Sequence, residues 1–159
     1  DVRLVGSEMC IRDRFYINRE GQWFYNNSEI KNNKLINLFS TVLRKDNDSY
    51  YLVTPVEKVP VKVELAPYQI IDFEFMQDNV KLVTNLNFEF VLNKTNTTRL
   101  ISHNNSLIPL VNVRSNIEGF FNRNTYYKLI DFALENKNID KNYLYIQSDN
   151  QKHIIGKIA

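Results

Sequence analysis

The residues of this sequence that could do chemistry begin with Thr54 and Glu57, which flank a proline in the segment Thr54-Pro55-Val56-Glu57. β-Branched and aromatic residues precede this segment and an alternating apolar stretch follows it, so it connects two predicted strands. Proline removes a backbone donor and keeps the preceding residue extended, so the chain must turn here with both side chains close to rigid backbone. The hydroxyl and the carboxylate could therefore orient a bound ligand.

Positive charge for such a ligand could come from Arg114, at the end of a predicted strand, and from Arg123, with Glu118 between them. A guanidinium can hold a carboxylate or a phosphate through two parallel hydrogen bonds. Trp23 and Tyr25 could form aromatic walls of the site, although the indole of Trp23 buries so much area that a place in the core is the alternative. The alternative for the charged residues is structural, because Glu57 or Glu118 could form an internal ion pair with one of the arginines and fix the two halves of the chain.

Catalytic and metal-binding residues are not predicted. His103 and His153 are the only histidines, and both lie near predicted turns without carboxylates at ligand spacing. The chain has four glycines and no glycine-rich phosphate loop, and its single cysteine is Cys10. We therefore expect no cofactor and no metal, and an enzyme of unrecognised mechanism stays open as an alternative function.

Length and charge limit the classes of protein that the chain can belong to. With 159 residues, 43% of them hydrophobic, it can bury a sizeable core. No apolar run approaches the ~18 to 20 residues that span a bilayer, so we expect a cytoplasmic protein without membrane association. The net charge of +2 is small and the basic residues are dispersed, which gives only weak support for a nucleic-acid-binding module.

Residues 1–14 differ from the rest of the chain, because they lack asparagine and lysine and show no hydrophobic period. Met9-Cys10-Ile11-Arg12-Asp13-Arg14 also resembles translated sequencing-adapter read-through. We therefore predict that residues 1–14 are a non-native or disordered segment, and we exclude them from the fold.

Residues 15–66 are predicted to form an N-terminal α+β subdomain. Strands at 15–17 and 22–25 flank a turn that contains Gly21, which indicates a hairpin. Asn33 is predicted to cap a helix over residues 34–45, whose apolar face has helical spacing and comprises Leu35, Leu38, Phe39, Val42 and Leu43. A second hairpin, over residues 50–65, closes this subdomain around the Thr54 to Glu57 turn.

Residues 67–159 are predicted to form a C-terminal, β-rich subdomain with one helix. A meander of three strands covers residues 68–75, 80–84 and 88–92, and a hairpin follows over residues 99–113. Residues 115–122 are predicted to be irregular or a short helical turn. Asn124 is predicted to cap a helix that runs through Glu135, and a last hairpin covers residues 143–158.

The order of elements suggests an internal duplication. Hairpin, helix and hairpin occur in both halves, and the two helices align without a gap, with their caps coinciding. The predicted fold is therefore α+β, with a duplicated hairpin–helix–hairpin unit and a three-stranded antiparallel meander between the copies. Two similar halves would leave a groove at their junction, where ligand sites tend to lie.

The chain resembles members of a bacterial protein family called domain of unknown function 1285 in several sequence motifs. The resemblance runs from about Phe15 to the C-terminus and includes Gly21-x-Trp23-x-Tyr25. Its most specific part is Leu52-Val53-Thr54-Pro55-x-Glu57 following Leu38-Phe39-x-x-Val42-Leu43-Arg44. It implies an α+β fold with a duplicated motif, a second half superficially like a pleckstrin-homology domain, and a ligand groove between the halves. The family has no assigned activity, and a signalling or nucleic-acid role is a proposal for it.

The resulting functional hypothesis is a small-ligand-binding or regulatory, signalling-type domain. Its ligand would be an anionic small molecule or a protein segment, oriented by Thr54 and Glu57 and held by Arg114 and Arg123. A nucleic-acid-associated module and an enzyme are the alternatives.

Overall fold

The computed structural model describes residues 15–158. The chain divides into two compact units, with the division between Pro67 and Tyr68. The prediction that residues 1–14 are non-native or disordered lies outside the described residues. Neither of the two helices in residues 15–158 combines the length and the apolar character needed to cross a membrane.

The first unit contains one helix, α1 (Asn33–Thr41), and a six-stranded sheet. Its strands in chain order are β1 (Phe15–Ile17), β2 (Trp23–Tyr25), β3 (Ser28–Glu29), β4 (Leu43–Asp46), β5 (Ser49–Val53) and β6 (Lys58–Val63). The order across the sheet is β3-β2-β1-β6-β5-β4. All neighbours are antiparallel except β1 and β6, which are parallel and place Phe15 beside Val61.

Both hairpins predicted for this unit are confirmed. β1 and β2 pair Ile17 with Trp23 across a turn in which Gly21 has φ 82°. This positive φ is a conformation that glycine adopts without strain. β5 and β6 pair Val53 with Lys58 on either side of the proline-containing turn.

The prediction for α1 is wrong at both ends. Asn32, not Asn33, is the N-cap, and its side chain accepts from the backbone N–H groups of residues 34 and 35. The helix ends at Thr41, and the residues after Val42 form β4, in which Leu43 pairs with Leu52 and is fully buried. Neighbouring apolar residues fit the end of a helical stripe and the start of a strand equally well, so periodicity alone does not separate them.

The buried face of α1 also differs from the prediction. Ile36 and Ser40 are its buried residues, whereas Leu38 is 59% exposed and Leu35 is 37% exposed. The helix therefore turns Ile36 into the core and leaves part of its predicted apolar stripe accessible.

The second unit contains a second six-stranded sheet, the helix α2 (Arg123–Glu135) and a three-stranded sheet. The strands of the large sheet are β7 (Tyr68–Phe75), β8 (Val80–Thr84), β9 (Glu89–Val91), β10 (Thr98–His103), β11 (Ser106–Arg114) and β12 (Ile117–Phe121). The small sheet consists of β13 (Ile139–Asp140), β14 (Tyr143–Ser148) and β15 (Gln151–Lys157). Helix α2 contacts β7, β14 and β15, and β15 also contacts β10 and β11.

Two predictions for residues 115–124 are wrong. Residues 117–121 form a buried strand, β12, which pairs with β11 and lies parallel to β7. Gly119 lies so close to β7 that a Cβ atom there would stand 3.0 Å from the Cβ and 3.0 Å from the carbonyl oxygen of Tyr68. Asn122, not Asn124, caps α2, because its side chain accepts a 2.8 Å hydrogen bond from the backbone N–H of Thr125.

The mixed α+β class is confirmed, and the two sheets are consistent with a duplicated unit. The second sheet has the order β10-β11-β12-β7-β8-β9, with β7 parallel to β12, which is the strand order of the first sheet. The meander β7–β9 is thus the first half of the second sheet. Helix α1 lies between the third and fourth strands of its unit and α2 follows the sixth, so the two helices occupy different places in the strand order.

Candidate functional site

A cavity of about 370 Å³ lies in the first unit, against α1 and the strands β1, β2 and β6. Its walls are six apolar or aromatic side chains and one carboxylate, from Phe15, Tyr25, Ile30, Leu35, Phe39, Val59 and Glu57. The cavity is half open to solvent. A volume in this range, lined by apolar side chains with a few polar groups, is typical of small-molecule sites. The cavity includes two of the residues named from the sequence, Glu57 and Tyr25.

Aromatic packing builds the inner part of this cavity. The ring of Phe39 on α1 lies 5.2 Å from the ring of Phe15 in an edge-on arrangement and 6.1 Å from the ring of Trp23 in a stacked one. Phe15 and Tyr25 are paired across β1 and β2, and their ring centroids are 4.8 Å apart. Because directly opposed residues of an antiparallel pair share one face of the sheet, Phe15 and Tyr25 both face α1.

The turn that carries Glu57 is closed by Thr54. The backbone N–H of Thr54 donates to the carbonyl oxygen of Glu57 at 2.9 Å. The Thr54 hydroxyl oxygen accepts from the Glu57 N–H at 3.2 Å and lies 3.3 Å from the Glu57 carbonyl oxygen. Pro55 and Val56 form the tip, with Val56 89% exposed. Thr54 therefore fixes the backbone of Glu57, as the sequence suggests for this segment.

The carboxylate of Glu57 is exposed, and no group in the described part of the chain forms a hydrogen bond or an ion pair with it. Val59 lies two residues further on and also lines the cavity, as expected from the alternation of side chains along a strand. Lys58, between Glu57 and Val59, instead forms an ion pair with Asp46 at 3.5 Å. Its Nζ lies over the Tyr51 ring, 4.3 Å from the ring centroid.

Trp23 occupies the core of the first unit, with 1% of its surface exposed. Its ring stacks on Phe39, which is a wall of the cavity, although Trp23 itself is not among the cavity walls. Its indole N–H is buried and meets no acceptor within the described residues.

The three other candidate residues belong to the second unit. Nε of Arg114 donates to the hydroxyl of Tyr68 at 2.8 Å, and its guanidinium lies 5.9 Å from the centre of that ring. The carboxylate of Glu118 accepts from Nε and Nη2 of Arg99 at 2.7 and 2.8 Å. Arg123 is the exposed first residue of α2. The structure thus gives Glu118 an arginine partner, but that partner is Arg99, two strands away in the sheet.

A buried polar cluster in the second unit was not predicted from the sequence. His153 is fully buried, with Nδ1 2.7 Å from the Thr97 hydroxyl and Nε2 3.0 Å from the carbonyl oxygen of Ser148. The Ser148 hydroxyl donates to the carbonyl of Leu92 at 2.7 Å and accepts from the N–H of Val80 at 2.9 Å. Alternation along β15 would have placed His153 on the face of buried Ile155, which is the pattern that could have revealed it.

The contacts of His153 define the tautomer of its neutral imidazole. A carbonyl oxygen only accepts, so Nε2 carries the proton and Nδ1 accepts from the Thr97 hydroxyl. Burial lowers the pKa of this imidazole, and the Ser148 carbonyl and the charge of Asp149 oppose that effect. Among residues 15–158, no three His, Cys, Asp or Glu side chains cluster in a way that could hold a metal ion.

Comparisons with known proteins identify the family. The model named "Domain of unknown function (DUF1285), N-terminal domain" matches residues 5–66, and "Protein of unknown function (DUF1285), C-terminal domain" matches residues 67–155. No curated protein matches the chain.

Two crystal structures of family members have similar folds. A DUF1285 family protein from Silicibacter pomeroyi DSS-3 is 27% identical with a TM-score of 0.83, over 92% of this chain and 81% of that one. A DUF1285 family protein from Shewanella baltica OS155 is 29% identical with a TM-score of 0.61, over 75% of this chain and 91% of that one. These matches confirm the resemblance seen in the sequence, and the chain belongs to the DUF1285 family.

Proposed function

We propose that this chain is a small-ligand-binding domain of a regulatory, signalling type, and that the cavity of the first unit is its binding site. The observation that supports this proposal is the cavity itself, about 370 Å³ in volume and walled by aliphatic and aromatic side chains with one carboxylate. At ~30 Å³ per water molecule in the liquid, it corresponds to about a dozen waters.

The rim of the cavity supports the same conclusion. Tyr25 is 40% exposed and Leu35 is 37% exposed, although both side chains line the cavity. A ligand with an apolar body would remove this surface from water, which contributes roughly 25 cal/mol per Å². The aromatic rings behind the rim pack against one another, so binding would require little ordering of the protein.

Other features of the functional hypothesis stay predictions. The groove between the halves, an anion held by Arg114 and Arg123, a protein-segment partner and a cytoplasmic location are among them. A nucleic-acid role is not favoured at this cavity, because its walls include no lysine or arginine that could contact phosphate. A pleckstrin-homology-like second unit also remains our proposal, supported by a sheet that is followed by a helix.

The test is a thermal-shift screen of the full chain against metabolites, followed through the fluorescence of Trp23, the only tryptophan of the chain. Trp23 is buried beside the cavity wall, so its emission reports unfolding of the first unit. A ligand at ~100 times its dissociation constant stabilises the folded state by about 2.7 kcal/mol. For a chain of this size we expect the unfolding temperature to rise by roughly 5 to 10 °C.

Two tryptophan variants on α1 locate the site. Leu35→Trp places an indole at the rim of the cavity and should abolish the shift caused by a ligand. Leu38→Trp is the matched control, because Leu38 lies on the same helix, is 59% exposed and does not line the cavity. In these variants the added tryptophan obscures Trp23, so unfolding is followed by circular dichroism. A ligand that stabilises both variants equally, or no hit in the screen, would contradict the proposed site.

A further inference from the structure

We propose that the ligand of this cavity carries a positively charged amine on an apolar body. This inference rests on the proposed function and adds the chemical class of the ligand. It differs from the anionic ligand expected from the sequence, because that expectation depended on Arg114 and Arg123, and neither arginine lines the cavity.

The charge of the cavity comes from one group. Glu57 is the only ionisable side chain of its walls apart from the phenol of Tyr25, and the other five are hydrocarbon. A carboxylate beside apolar walls attracts a cation and repels an anion, and because Glu57 is exposed the attraction has the size of a surface ion pair. The cavity is therefore complementary to an amphiphile with a single cationic end.

The carboxylate of Glu57 is available for a ligand. Within residues 15–158 it forms no ion pair and accepts no hydrogen bond. The neighbouring cation Lys58 is engaged by Asp46 and by the ring of Tyr51. Because side chains alternate along β6, Lys58 and Val59 lie on opposite faces of the sheet, so this lysine does not neutralise the cavity.

Thr54 acts as a positioning residue for this carboxylate. Its backbone and its hydroxyl both bond to the backbone of Glu57, which limits where the Glu57 side chain can reach. The rings of Phe15, Tyr25 and Phe39 are the remaining attraction for a cation, since an ammonium group within ~6 Å of an aromatic ring face is held by the ring quadrupole.

A matched set of probes separates charge from apolar binding. We would titrate the full chain with 4-phenylbutylamine, 4-phenylbutanol and 4-phenylbutanoate and follow the amide chemical shifts of the first unit by NMR. The three probes share one apolar body and differ in the charge at its end. We expect the amine to bind about five times more tightly than the alcohol, as an exposed ion pair allows, and the carboxylate to bind most weakly. The advantage of the amine should fall as salt is added, since Glu57 is exposed.

Three variants assign the preference to its cause. Glu57→Gln keeps the size of the side chain and removes its charge, and the amine should then bind no better than the alcohol. Glu20→Gln removes one negative charge from the same unit at the turn between β1 and β2, away from the cavity, and should keep the preference. Thr54→Val keeps the size of the side chain and removes the bonds of the hydroxyl, and should lose part of the preference while alcohol binding is unchanged.

The outcomes distinguish this inference from the proposed function. Equal binding of amine and alcohol at the cavity, or a preference that survives Glu57→Gln, would refute the cationic ligand and leave a ligand-binding cavity in place. If none of the three probes shifts residues of the cavity, or if Leu35→Trp binds them as well as the natural chain does, both proposals fail.

Discussion

Acidification should destabilise the second unit through His153. The imidazole is fully buried, and burial lowers its pKa below the ordinary value of about 6.5 that it has in the unfolded chain. Protonation would make Nδ1 a donor toward the Thr97 hydroxyl, which would then need another acceptor for its own proton. The folded state therefore resists protonation more strongly than the unfolded state does.

The sign and the size of the effect follow from linkage. Below the unfolded pKa the unfolded chain binds the proton and the folded chain does not, so the free energy of unfolding falls as the pH falls. The slope is at most about 1.4 kcal/mol per pH unit between the unfolded and the folded pKa of His153. The contribution of neutral His153 to the free energy of unfolding is complete above about pH 6.5 and is lost as the pH drops through the folded pKa of His153.

The assay is urea unfolding followed by circular dichroism, at steps from about pH 7.5 to pH 5. A His103→Asn background makes His153 the only histidine, since the chain has two. His153→Gln in that background is the control, because its amide nitrogen can still donate to the Ser148 carbonyl but does not titrate. A free energy of unfolding that stays flat on acidification, or that falls with the same slope in His153→Gln, would refute the reasoning.

Two further predictions concern the second unit. Gly119→Ala should lower the free energy of unfolding by about 2 kcal/mol, since the added Cβ would press on the backbone of Tyr68 at 3.0 Å. In urea titrations Gly156→Ala should change it by less than about 1 kcal/mol, because its nearest neighbours at 3.3 and 3.4 Å are the ends of flexible side chains. Equal costs for the two alanines would contradict this argument. Asn122→Ala should cost about 1 kcal/mol by removing the cap of α2, and an unchanged urea midpoint would show that the cap is dispensable.

Local patterns predicted most of the strands but not how the strands meet. The hairpins around Gly21 and around residues 149–150 follow from turn residues that adopt positive φ, which is local chemistry. β12 was missed because Gly119 weakens the strand pattern. Position 119 needs a glycine because Tyr68, which lies far earlier in the chain, approaches it closely. A parallel pair joins segments distant in the chain, and no local pattern records such a partner.

The local part of the candidate site was predictable from the sequence, and the part that depends on distant segments was not. Proline in the segment Thr54 to Glu57 identifies a rigid turn, and the structure places Glu57 beside a cavity. The cavity itself depends on β1 lying beside β6, which brings Phe15 close to residues about 45 positions later, so it was not visible in the sequence. The partner of Glu118 was missed for a similar reason, because Arg99 reaches it across β11 from β10.

Comparison of the two sheets indicates which elements build the cavity of the first unit. Both sheets have the same strand order, but residues 92–97, which connect the third and fourth strands of the second sheet, contain no helix where the first unit has α1. The connection between the last two strands is also shorter, two residues at 115–116 against four at 54–57. Leu35 and Phe39 come from the helix and Glu57 from the longer connection. Helix α1 therefore supplies two apolar walls of the proposed site, and the longer connection supplies its carboxylate. The strand order on which both are built is shared by the two units.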